Sequence, residues 1–190
     1  FPLGGMTKVE VREIARAAFE YQREVETDNG VPLTVRPIRP EDEPAVVRFH
    51  AGLSEETVLA RYGKVRSLKE RTAHERLTRV CYVDYDRQCA LVAEAHTDDG
   101  PVIVGVARVS RIPASDDRHL TLVVADAWQR HGIGAQLVRS AVQVAHGEQV
   151  ANLVAEVSPD NVPMRELLAS EGFAIEDRGF FDHGAIDPEA

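Results

Sequence analysis

Apolar positions recur along this chain with two different periods, and the places where the period changes mark its elements. Residues 119 to 125 (His-Leu-Thr-Leu-Val-Val-Ala) read as a strand. From Ile133 onward apolar residues return at Leu137, Ala141, Val144 and Ala145, one face of a 3.6-residue helix. A second apolar run, Val150 to Val157, leads to Ser158-Pro159-Asp160-Asn161, another helix, and then Glu171-Gly172-Phe173 before a further strand. Upstream, the pattern predicts a strand at 33–38 and a helix from about 41, whose acidic first turn suits the helix dipole. Helices are also expected at 54–62 and 69–82. Two β-rich runs, Gln88 to His96 and Pro101 to Ser110, flank Thr97-Asp98-Asp99-Gly100, which is a hairpin signal. Residues 8 to 26 predict a charged helix with a narrow apolar stripe, ended by Thr27-Asp28-Asn29-Gly30. Phe1–Gly5 reads as a cloning remnant ahead of Met6, 6–30 as a helical arm, and 31–190 as the domain proper.

The chemistry starts where the 119–125 strand gives way to its helix, through Gln129-Arg130-His131-Gly132-Ile133-Gly134. A helix start leaves about four N–H groups without partners and carries partial positive charge. Glycine removes the Cβ that would keep an anion away from those groups. A phosphate or pyrophosphate is therefore expected on this turn, against the plainer reading of glycines that only serve packing. A Walker loop requires a lysine after Gly134, and none follows. A dinucleotide fingerprint requires a third glycine where Leu137 stands.

What remains is Gln/Arg-x-x-Gly-x-Gly/Ala, and the segment resembles the pyrophosphate loop of the GNAT superfamily of N-acetyltransferases. The order of strand, loop, helix, strand, Asn-led helix and Gly-Phe is similar to that superfamily too. Longer stretches resemble the acetyltransferase domain of Pat-type bacterial protein lysine acetyltransferases. They are Leu33 to Asp42, Gly52-Leu53-Ser54-Glu55-Glu56-Thr57, Asp84-Tyr85-Asp86-Arg87, Asp126-Ala127-Trp128-Gln129, and Glu156-Val157 with Asn161-Val162-Pro163-Met164.

The resemblance implies an α+β, three-layer fold, a mostly antiparallel mixed sheet flanked by helices, with two central strands splayed apart. It implies an enzyme that moves acetyl from acetyl-CoA to a protein lysine by direct attack in a ternary complex, on a partner such as an acyl-CoA synthetase. It also implies coenzyme A contacts from the backbone at Leu122, Val123 and Val124, from the loop Gln129, Arg130, His131, Gly132, Ile133, Gly134 and Ala135, and from Asn161. Asn161 is equally a good helix N-cap, and both roles can hold together. A small amine as acceptor, or a non-catalytic acyl-CoA-binding module, are the alternative readings.

Composition narrows the setting. With 190 residues and 44% apolar composition the chain is long enough for one domain with a sizeable core. No apolar run approaches the roughly 18 to 20 residues that span a membrane, and no secretion signal is read. The two cysteines, Cys81 and Cys89, fit neither a disulfide framework nor a metal cluster, so no metal and a reduced cytoplasmic setting are expected. A net charge of −9 argues against nucleic acid as the main partner. Asp84, Asp86 and the Asp98-Asp99 turn are expected to make an acidic cleft for a cationic acceptor. Oligomeric state is open.

Acetylating an amine requires a neutral nitrogen, and deprotonating a lysine near neutral pH costs about 4 kcal/mol. A base in reach removes that obstacle, and a strand N–H is a ready donor for the thioester oxygen. In Pat-type enzymes a glutamate opens the motif strand as general base, and alignment on Val123-Val124 and Asp126-x-Trp128-Gln129 puts His119 there. A histidine near pKa 6.5 is a competent base. Glu156 on the neighbouring strand is the second candidate. Where many superfamily members carry a tyrosine as general acid, counting from Asn161 gives Leu168, so thiolate release would fall to solvent. Tyr82 and Tyr85 have no assigned role.

Overall fold

The computed structural model describes residues 21–81 and 88–177 and the backbone of 182–186. Its strands are β1 (Arg23–Glu26), β2 (Pro32–Pro37), β3 (Gln88–Thr97), β4 (Gly100–Arg111), β5 (Arg118–Val124), β6 (Leu153–Val157), β7 (Ala174–Asp177) and β8 (Asp182–Ile186). They form one sheet in the order β1-β2-β3-β4-β5-β6-β8-β7. Every neighbouring pair is antiparallel except β5 with β6. The helices are α1 (Glu43–Ala51), α2 (Glu55–Tyr62), α3 (Leu68–Arg71), α4 (His74–Cys81), α5 (Ile133–Gly147) and α6 (Val162–Ser170).

Side chains alternate across each strand, so the sheet carries two cores. On one face Leu91, Val109, Leu120 and Leu122 meet Ile133, Leu137, Val138, Ala141 and Val144 of α5 and Leu168 of α6. On the other, Ala90, Val92 and Val123 meet Val46 and Phe49 of α1, Val58 of α2, and Leu77 and Cys81 of α4. The result is the expected layer of helices on each side of a mixed, mostly antiparallel sheet. The 88–96 and 101–110 hairpin forms with the anticipated turn.

Two expectations change, and one strand appears that the apolar spacing did not announce. The helix over 8–26 does not extend to its end: Arg23–Glu26 is an edge strand, with Arg23 opposite Val35 and Glu26 opposite Pro32. Glu24 accepts from Thr34 Oγ1 at 2.9 Å. The open edge of β2 supplies backbone partners that local propensity does not weigh. Residues 8–20 of that helix, like Phe1–Gly5, lie outside the described residues. The helix expected at 69–82 is two helices with a break at Thr72, whose φ is −110°. Ser67 and Glu70 close a capping box on the first, and Arg71 turns inward to donate to the His50 carbonyl at 2.5 Å. Finally, β8 inserts between β6 and β7 although its sequence has little apolar alternation.

The feature that positions the site is a fork. β5 and β6 pair only at Arg118 with Leu153 and His119 with Val154, and then diverge. On the other side of β5, the register of β3 with β4 slips between Ala93 and Glu94, which leaves Val104 as an extra residue in β4. The Ala125 N–H donates to the Val104 carbonyl at 2.8 Å, so the end of β5 follows the bulged strand away from β6.

Candidate active site

Backbone direction along β5 is fixed at both ends. The Arg118 N–H donates towards β6, to Asn152 O at 2.9 Å, and the Ala125 N–H donates towards β4. Alternation therefore turns the amides of Leu120, Leu122 and Val124 into the fork and that of Val123 towards β4. Leu122 and Val124 can thus offer backbone groups to a ligand in the gap. Val123 is corrected: its amide belongs to the β4 ladder and its side chain to the opposite core.

The glycine turn follows at the open end of the fork. Arg130 has φ +64°, and Gly132, at φ +76°, is the N-cap of α5 in the left-handed region. α5 carries no acidic residue in its own first turn, so the helix itself puts no counter-charge on the amides of Ile133, Gly134 and Ala135. Gly134 is required for packing as well: a Cβ there would stand 2.8 Å from Leu167 Cδ2 on α6. Arg130 is exposed at the rim of the turn.

Gln129 does something the sequence did not suggest. Its Nε2 donates to the Val124 carbonyl and to Thr57 Oγ1, both at 3.1 Å, so its side chain latches the turn to the strand end and to α2. Beside it, the Asp126 carboxylate accepts from Ser54 N–H at 2.9 Å, Ser54 Oγ at 2.5 Å and Thr57 Oγ1 at 2.7 Å. Burial works against the Asp126 charge, but these hydrogen bonds outweigh it and lower its pKa. A second unforeseen neighbour is Asp28, in the β1–β2 turn. Its N–H donates to the His131 carbonyl at 3.1 Å, and its carboxylate lies where a Cβ on Gly132 would meet it at 2.6 Å. No local pattern announces that contact, because about a hundred residues separate the partners.

Asn161 caps α6, its Oδ1 accepting from Met164 N–H at 3.2 Å, which leaves its Nδ2 as the donor group. Leu168 is fully buried in the core, so no side chain acts there as an acid. His119 stands at the last paired position before the fork opens. By alternation His119 and Glu156 project from the same face of the sheet, the one opposite α5, and Glu156 is exposed one repeat further along β6. The two candidate bases thus share one face of the fork, while the glycine turn and Asn161 belong to the helices of the other.

Of the carboxylates expected to make an acidic cleft, only the Asp98-Asp99 turn falls within the described residues. The Asp98-Asp99 turn lies at the far end of β4 from Ser110, the residue opposite His119, which is roughly 30 Å of strand away. Asp84 and Asp86, with Tyr82 and Tyr85, lie outside the described residues. Among the described residues this side carries arginines: Arg61, Arg66 and Arg76 each place a guanidinium 5.0 to 5.4 Å from the centre of the Tyr62 ring. Both cysteines are buried, and burial pushes each thiol up to about 12, which keeps them protonated and inert.

Comparison with known proteins agrees with this geometry. The family model described as an acetyltransferase (GNAT) domain matches residues 32–174. An acetyltransferase of Pseudomonas aeruginosa is 29% identical over 163 residues, covering 85% of this chain and 86% of that protein. Among solved structures, the GNAT domain of Streptomyces lividans PAT superposes with a TM-score of 0.78 at 22% identity, over 88% of this chain and 97% of the other. Mycobacterium smegmatis RimJ, solved with a CoA disulfide, gives 0.67 at 22% identity, over 88% and 87%. A forked sheet, a glycine-led helix and a family match over most of the length lead to one conclusion: this chain belongs to the GNAT acetyltransferase family and is an acetyl-CoA-dependent N-acetyltransferase.

Proposed function

We propose that the protein acetylates the ε-amine of a lysine in a partner protein, with His119 as the general base. The observation that carries this reading is the place of His119 at the apex of the β5–β6 fork, on the face opposite the glycine turn. Acetyl-CoA supplies an activated acetyl thioester; transfer forms a C–N bond to the acceptor and breaks the thioester C–S bond. In this reading Ile133, Gly134 and Ala135 amides hold the pyrophosphate at the start of α5, with Arg130 and His131 at the rim. Leu122 and Val124 offer backbone hydrogen bonds in the fork, and Asn161 Nδ2 donates to the pantetheine arm. A β5 amide in the gap polarises the thioester oxygen. His119 takes one proton of the incoming ammonium; the nitrogen's second proton, lost as the tetrahedral intermediate collapses, reaches the leaving thiolate through solvent because Leu168 offers no donor. The segments that resemble Pat-type protein lysine acetyltransferases, Leu33 to Asp42 and Asp126 to Gln129 among them, support the protein lysine as acceptor. Glu156 is the second candidate base, on account of its exposed position on the same face.

The test begins with calorimetric titration by acetyl-CoA of the wild type and of Gly132→Glu. The expected result is saturable binding that the new carboxylate, in a left-handed position, abolishes. Thiol release on a lysine peptide then compares wild type, His119→Ala and Glu156→Gln across pH. His119→Ala should lose about a hundredfold or more in kcat/KM together with the pH limb that reports the base. An unchanged pH profile would remove His119 as base, and a loss confined to Glu156→Gln would pass the role to that residue.

A further inference from the structure

The arginines on the His119 face form a cluster whose charges find no carboxylate among the described residues. Arg61 closes α2 next to Tyr62, Arg66 follows in the loop, Arg76 comes from α4, and Arg108 from the middle of β4. Three of them surround one phenol ring, and Arg76 Nη2 donates to the Tyr62 hydroxyl at 3.2 Å. Arg108 is held from behind by Gln88 Oε1, and Gln88 is itself fixed by donating to the Arg79 carbonyl. The Nε atoms of Arg66, Arg76 and Arg108 are buried and lack a hydrogen-bond partner. Burial, and then the neighbouring arginines, lower the pKa of Arg61 and of Arg108.

Such an arrangement is unfavourable by itself. A single tyrosine face cannot offset the mutual repulsion of several half-buried guanidinium groups, and buried N–H groups without acceptors add to the penalty. Each of those costs disappears when an oxyanion enters the cluster and accepts from the free N–H groups.

Position says what that anion belongs to. Arg108 lies opposite Thr121 of β5, and Ser110, two residues on, lies opposite His119. Arg108 and His119 are therefore diagonal neighbours on one face, at about 7 to 8 Å. The pyrophosphate turn is beyond the other end of β5, past Val124.

We propose that Arg61, Arg66, Arg76 and Arg108 form an acceptor subsite for a carboxylate or phosphate carried close to the amine that is acetylated. The preferred acceptor is a lysine in an acidic or phosphorylated stretch, rather than a cationic peptide or a polyamine. This inference rests on the acceptor entering on the His119 face, as in the function proposed above.

Its test separates the two. The protein saturated with CoA, so that the glycine turn is filled, is titrated with inorganic phosphate and separately with succinate. Saturable binding of at least one anion is expected, weakened about tenfold or more in Arg61→Gln and Arg108→Gln. Melting temperatures of these variants without anion should equal or exceed that of the wild type, because repulsion is relieved. A cluster that serves only to hold α2 and α4 would lower them and leave any anion affinity unchanged. Lysine peptides flanked by glutamate, phosphoserine or glutamine are then compared by kcat/KM. The charged peptides should lead, the order of glutamate and phosphoserine naming the anion, and Arg108→Gln should erase the advantage. No binding of either anion, binding lost once CoA saturates, or equal use of all three peptides would each overturn the subsite. Failure of the transferase reading looks different: no thiol release on any amine, with phosphate binding intact.

Discussion

At the scale of single residues, the segments that resemble Pat-type domains turn out to be partners of one another. Ser54 and Thr57 hold Asp126, and Thr57 also holds Gln129, so two motifs about seventy residues apart form one latch under the glycine turn. Arg36 does the same for the first segment, with Asp42 at 2.7 Å and Glu94 at 2.6 Å. Burial opposes the charge on Arg36, and the two carboxylates overcome it and raise its pKa. Asp28 is the residue that runs against the site, since it sets a carboxylate beside the cap of α5. Asp28→Asn keeps the backbone bond to His131 and removes a like charge beside the turn proposed to hold the pyrophosphate. Its Kd for acetyl-CoA should fall several-fold at low ionic strength, an advantage that fades with added salt; an unchanged Kd at low salt would show that Asp28 turns away when the ligand binds.

At the scale of elements, α5 fits the sheet through a glycine that no motif announces. A Cβ on Gly105 would stand 2.8 Å from Leu137 Cδ1 and 3.3 Å from Ile133 Cγ2, both on fully buried side chains. Gly105→Val should destabilise the fold by about 1–3 kcal/mol through overpacking, read as a shift of the urea midpoint. It should also weaken acetyl-CoA binding, because α5 carries the glycine turn at its first residue. Strand and helix periods were legible here: 119–125, the hairpin, the helix from Ile133 and the Asn161 cap all appear where the apolar spacing put them. The strand at Arg23–Glu26 was not, because four residues on a sheet edge take their conformation from β2 rather than from their own spacing.

For the whole molecule, the arginines reach beyond the acceptor face. His50 on α1 is buried, and burial, then Arg71, Arg76 and Arg61, depress its pKa from 6.5 to about 4. A depressed histidine is neutral in the folded state and protonates first in the unfolded chain. Stability is therefore full above pH 6.5, falls as pH drops, and stops falling on this account below about pH 4, for a total on the order of 3 kcal/mol. Urea midpoints between pH 7 and 4 should trace that loss, and His50→Gln should flatten it. Asp42 acts separately: burial raises its pKa, but bonds from Arg36 and Arg39 outweigh that and lower it, so its contribution is lost only at more acid pH. A profile in His50→Gln as steep as the wild type would assign the acid limb elsewhere.

Spacing along the chain was enough for the core strands and helices, the glycine turn, the cap at Asn161, and His119 near the start of β5. These depend on local spacing and on residue chemistry within a few positions, which a linear chain records directly. Only the tertiary structure decided that Val123 turns its amide to β4, that Gln129 and Asp126 serve the latch, and that Asp28 crowds Gly132. It alone gathers Arg61, Arg66, Arg76 and Arg108 on the face that carries His119. Those facts depend on strand register and on which helix faces which side of the sheet, and both are settled by the burial of two cores at once.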